Sequence, residues 1–194
     1  MRYKRVNEKR LRAMRACVDG RDYVVNNCPY TDSAKVVEWL IKEDKLDWAN
    51  WLIVMVMERK QYLAYAIYSA EQVIDIYENK YPDDDRPRKA IEATRQVLKR
   101  DTKKNRAAAD AATYNYADDA AAADAAYDAA YYAAYAAYAA YAATYNYADD
   151  AAYDAAYAAA YDAAYAAAYT CADYAGRRKM RLKILKYGIK LLKS

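Results

Sequence analysis

Between Ala107 and Ala175 the chain is built almost wholly from three residue types: 37 Ala, 16 Tyr and 10 Asp in 69 residues, with no Gly or Pro. Alanine is the best helix former and nothing in this stretch breaks a helix, so the segment is close to committed to helix. As one rod it would be ~100 Å long at 1.5 Å per residue, far more than a domain of this size accommodates. The expected fold is therefore all-α, a helical bundle with long Ala/Tyr-rich antiparallel helices. The sequence AATYNYADDAA stands at Ala111–Ala121 and again at Ala142–Ala152, an offset of 31 residues. It reads as a repeated helix start, with Asn115 and Asn146 as N-caps and Asp118-Asp119 and Asp149-Asp150 in first turns, where negative charge suits the helix dipole.

Tyrosine recurs at every fourth residue from Tyr153 to Tyr169 and at every third from Tyr132 to Tyr141. Either step keeps the rings on one slowly drifting side of a helix. Two readings stay open. The tyrosines supply the buried area that alanine lacks, or they form an exposed face that stacks on a partner. On the second reading the partner-binding residues are Asp118, Asp119, Tyr127, Tyr131, Tyr135, Tyr138, Asp149, Asp150, Tyr153 and Tyr157.

Charge divides along the chain. The net charge is +4, yet residues 107–175 hold ten Asp and no Glu, Lys or Arg, so the rest has 31 basic against 17 acidic residues, or +14. Such a chain has faces of opposite field, or halves that neutralise each other. The organisation expected is an N-terminal helical bundle over 1–106 and an Ala/Tyr/Asp-rich part with a basic closing helix over 107–194, packed as one continuous all-α unit. The absence of histidine removes His bases, Ser–His and Cys–His pairs and His metal sites. The three cysteines form no C-x-x-C and read as reduced structural thiols. There is no N-terminal apolar run of the secretory kind, and WLIVMVM is far short of the ~20 residues that span a bilayer. A cytoplasmic protein without a membrane span, cofactor or metal is expected.

The N-terminal region reads as successive helices. Val6, Leu11, Met14 and Cys17 or Val18 recur at helical spacing, with Gly20 as the stop. Thr31, Asp32 or Ser33 caps the next helix, which carries Val36, Val37, Leu40 and Ile41 inward. LDWANWLIVMVM, with Asp47 as its N-cap, is apolar nearly all round, as in a buried helix. One further run, Gln61 to Asn79, ends at Tyr81-Pro82. After it Asp84 or Asp85 caps a helix with Pro87 in its first turn and Ala90, Ile91, Thr94, Val97 and Leu98 inward. The run Asp83–Asp85 suits a hard cation, but pairing with Arg86 and Arg88 in a capping loop is the preferred reading. The closing RRKMRLKILKYGIKLLKS has eight basic and no acidic residues. It fits a membrane-surface, nucleic-acid or calmodulin-target-like helix; the reading preferred is an internal closing helix with its basic face against the Asp-rich segment, while Gly188 weakens it as an independent helix.

The stretches LDWANWLI and SAEQVIDIYENKYPDDDRPRKAIEA, followed by the Ala-rich Ala107 to Ala175 and a basic closing helix, resemble the all-helical immunity proteins of bacterial polymorphic toxin systems. The resemblance covers most of the chain, which departs from the pattern in its abundance of Tyr. It implies an all-α protein without catalysis that blocks a toxin by binding it; phage-encoded relatives would act against a host defence system instead. The partner expected is a toxin or defence-system protein, basic in charge. The alternative is a sponge for a small signalling nucleotide, with Arg86, Arg88, Arg177 and Arg178 holding phosphates. A nucleic-acid partner is disfavoured because the Asp-rich segment repels phosphates, and homo-oligomerisation is left open.

Overall fold

The computed structural model describes residues 4–72, 74–117 and 174–194, and these are helical with short connections. The helices are α1 (Glu8–Ala13), α2 (Val18–Asn27), α3 (Ser33–Lys42), α4 (Leu46–Val56), α5 (Arg59–Glu71), α6 (Ile74–Lys80), α7 (Arg86–Lys99), α8 (Lys103–Ala117) and α9 (Tyr174–Lys193). The all-α bundle expected from the sequence is the fold. The Ala/Tyr-rich stretch beyond Ala117, and with it the expected long antiparallel helices, lies outside the described residues.

The N-terminal segment is not one helix stopped by Gly20. The chain turns between α1 and α2, where the Ala16 N–H donates to Leu11 O (2.9 Å) and Arg15 takes a left-handed φ of 58°. This is the Schellman closure that usually recruits glycine. Gly20 instead sits buried inside α2, while Cys17 and Val18, expected inward, are exposed. The lead-in is tied down by backbone bonds from Val6 N–H to Thr31 O (2.7 Å) and Ser33 N–H to Lys4 O (3.1 Å).

Asp32 caps α3, its Oδ1 accepting from the Lys35 N–H at 3.0 Å. Helix α3 closes like α1: Lys45 N–H donates to Leu40 O (2.8 Å), with Asp44 at φ 56°. Asp47 is therefore not a cap. It falls in the first turn of α4, whose N-cap position is Lys45. Helix α4 is the centre of the molecule: Ala49, Leu52, Ile53, Val54 and Val56 are at most 1% exposed. The run expected as one helix from Gln61 to Asn79 is divided, α5 ending at Glu71 with Gln72 as C-cap and α6 resuming at Ile74. Helix α7 keeps its expected inward face, with Ala90, Ile91, Thr94 and Val97 buried and Leu98 half-buried. Ala66, Ile67, Ala70, Ile74 and Ile91 form a second, smaller core.

Helix α8 packs along α7 and starts at Thr102, whose Oγ1 accepts from the Asn105 N–H (3.1 Å). It runs through Asn115, so the first copy of the repeat continues a helix rather than starting one. Asn146 lies outside the described residues. Helix α9 returns to the main core and touches α3, α4 and α5. Ile184, Leu185, Gly188 and Leu192 are buried there. Gly188 is at a close crossing: a methyl in its place would lie 2.5 Å from Ile53 Cδ1 and 2.7 Å from Tyr65 Cε2. The glycine that weakens α9 in isolation is what lets it approach α4 and α5.

Candidate functional site

Two regions bear on function: the arginines proposed for phosphate and a cavity walled by tryptophan. Arg88 reaches from α7 to α6 and grips Glu78 with both arms of its guanidinium, Nε to Oε1 at 2.6 Å and Nη2 to Oε2 at 2.5 Å. Asp75 adds a longer contact at 3.3 Å. The fork-to-fork geometry is the strong form of this pair. It holds Glu78 below the ordinary carboxylate range and raises Arg88 above its ordinary value. Arg86 folds back on Asp84, with Nε to Oδ1 at 2.8 Å and Nη2 to Oδ2 at 2.7 Å. Of the adjacent aspartates, Asp84 thus pairs with Arg86, whereas Asp85 takes Lys89 (2.9 Å) and Arg88 goes to α6 instead of the loop. Arg178 bonds Asp44 at 2.8 Å, and the neighbouring Arg177 is exposed.

Two other contacts of α9 use its basic residues. Arg181 meets Asp47 (3.0 Å) and Lys193 meets Glu38 (2.5 Å), so among the described residues the acids that meet α9 stand on α3, α4 and the turn between them; the expected docking of its basic face on the Asp-rich segment lies outside the described residues. Lys179, Lys183, Lys186 and Lys190 are exposed. The face of α9 that would lie in a membrane surface is already spent: its apolar residues are in the protein core. Among the described residues no helix is long and apolar enough to cross a membrane.

A cavity of about 350 Å³ opens between α1, α2 and α4. Its floor is apolar and buried, formed by Leu11, Val24, Leu40 and Leu52. Trp48 and Trp51, one turn apart on α4, form half-buried walls, and Arg15, Cys17 and Asp47 lie exposed on its lining. Trp48 is held from several sides. Tyr23 lies 5.4 Å from its ring centre and the Lys45 ammonium 5.3 Å over it. Tyr23 also stacks on Trp39 at 5.4 Å and donates its hydroxyl to Glu43 (3.1 Å). On the other side lies Gly20: a methyl there would be in ordinary contact with Trp48 Nε1 at 3.4 Å but tight against Cys17 Sγ at 3.0 Å. The Cys17 sulfur accepts from the Gly20 N–H at 3.4 Å and so caps α2.

Sequence reasoning passed over this cavity. Its traces were a glycine inside a helical pattern and three tryptophans gathered between residues 39 and 51. Asp118, Asp119, Tyr127, Tyr131, Tyr135, Tyr138, Asp149, Asp150, Tyr153 and Tyr157 lie outside the described residues. No family model, curated protein or solved structure matches the chain.

Proposed function

We propose that this chain is a non-catalytic binding protein of the cytoplasm that neutralises a toxin or a host-defence effector, in the manner of an immunity protein or a phage counter-defence inhibitor. One observation carries the reading: 16 Tyr and 10 Asp stand in a single stretch free of positive charge, within a chain whose remainder carries +14. Tyrosine concentrates at protein-binding hot spots because its ring covers much area at little cost in side-chain freedom. Clustered carboxylates steer a basic partner and reject an acidic one. The stretch is flanked by α8, packed on α7, and by α9, seated in the core, so both of its ends lead into ordered helices. The contact set proposed is Asp118, Asp119, Asp149 and Asp150 with Tyr127, Tyr131, Tyr135, Tyr138, Tyr153 and Tyr157.

The test is affinity capture from host lysate with the wild-type chain and with Asp118, Asp119, Asp149 and Asp150 changed together to Asn. The reading expects a basic protein recovered near 1:1 with the wild type, less of it as salt rises, and much less with the variant. Equal recovery by both chains removes the acidic face from the account.

A further inference from the structure

We propose that the cavity between α1, α2 and α4 is a binding site for a small, uncharged, planar aromatic molecule. Its volume of about 350 Å³ falls in the range of ligand pockets, and its make-up is theirs: apolar floor, aromatic walls and few polar groups. The walls are preorganised. Trp48 is fixed between Tyr23, Lys45 and the Gly20 backbone, so a ligand meets an indole already in place.

A glycine within a helix costs about 1 kcal/mol relative to alanine, and in α2 it is buried against the cavity walls. A methyl there would touch Trp48 at the ordinary distance of 3.4 Å but stand 3.0 Å from the Cys17 sulfur, which would have to give way.

The cavity disfavours ions of either sign, because its buried floor is leucine and valine and its charged groups lie exposed. A cation over Trp48 would compete with the Lys45 ammonium already above that ring, and would face Arg15 as well. An anion would find Arg15 only on the exposed part of the lining and would lose its water over a floor of leucine and valine that offers it no buried counter-charge. An uncharged ring stacks on the indoles and displaces water from Leu11, Leu40 and Leu52 without uncompensated charge.

Cys17 lies on the lining and reports occupancy directly. Indole serves as the probe, with tryptamine as its cationic and indole-3-acetate as its anionic counterpart, against the full chain. Iodoacetamide alkylation is followed by mass spectrometry of the separate cysteine peptides. Saturable protection of Cys17 by indole is expected, roughly threefold or more, with a midpoint in the millimolar range usual for so small a ligand. Cys28 should be unaffected, and both charged analogues should protect less. Ala16→Phe, which fills the cavity from its wall, should abolish protection while leaving the circular dichroism spectrum unchanged. The comparison among the three indoles uses the wild type alone and stands even if that variant fails to fold. No saturable protection, equal protection of Cys17 and Cys28, or stronger protection by a charged analogue overturns the proposal.

Discussion

Replacing Gly188 by alanine tests the seating of α9 most sharply, because two opposing effects have known size. At a solvent-facing helical position the change stabilises by about 1 kcal/mol through helix propensity. Here the new methyl would sit 2.5 Å from Ile53 Cδ1, 2.7 Å from Tyr65 Cε2 and 3.0 Å from Tyr65 Cδ2. The Ile53 methyl is the end of a side chain that can rotate. The Tyr65 ring has far less freedom: it is fully buried, and its hydroxyl donates to Asn50 Oδ1 at 2.7 Å. Overpacking of this kind costs about 1–3 kcal/mol, and shifting the ring would strain a buried hydrogen bond whose loss costs a further ~1–3 kcal/mol. The net expectation is destabilisation by about 1–5 kcal/mol, read as a lower urea midpoint or a melting temperature down by roughly 2–20 °C in a chain of this size. In a Tyr65→Phe background the ring is released from Asn50, so Gly188→Ala should cost less there, giving a coupling energy between the two sites. Stabilisation by Gly188→Ala, or strict additivity of the two changes, would refute the close-crossing account of α9.

Three other outcomes follow from local geometry. Burial raises Tyr65 above the ordinary 10.0, and burial with the Glu71 charge and Tyr68 does the same to Tyr187. Their stabilising effect is complete below pH 10.0 and is lost as pH rises above it; Tyr187→Phe should make alkaline unfolding shallower in a pH–stability series. Glu78 is depressed by Arg88, so that pair contributes fully above the ordinary 4.5 and fades as pH falls below it; Arg88→Gln should weaken the bundle near neutrality and flatten its acid limb. Asp32→Ala removes the α3 cap bond at 3.0 Å and should cost about 1 kcal/mol in urea unfolding, with Asp32→Asn largely neutral.

What the sequence made legible was local. Asp32 as a cap, Pro87 in a first turn and the inward face of α7 rest on residues whose neighbours lie within a turn or two. The all-round apolar α4 announced its own burial. The two glycines misled because each answers to a close approach inside a helix rather than to a helix end: Gly20 to the Cys17 sulfur that caps α2, and Gly188 to Ile53 and Tyr65, more than a hundred residues away. The turn at Arg15 was hidden because a Schellman closure formed without glycine, at a left-handed φ of 58°. The division between α5 and α6 carries no proline or glycine either, only an unbroken apolar rhythm. That Glu38, Asp44 and Asp47 meet α9 could not be chosen from sequence, because they stand more than a hundred residues before it, on α3, α4 and the turn between them. The cavity was illegible because it is made by four helices together, α3 contributing Leu40 to the floor, and no single one carries its pattern.

The account's central claim is that the chain acts by holding another protein. Purification of the tagged full-length chain from its host, with mass spectrometry of both co-eluting proteins and released small molecules, tests it most directly. The account predicts a basic protein recovered near 1:1 at low salt and less at moderate salt. Recovery of no stoichiometric protein at either salt, with or without a bound small molecule, would contradict it.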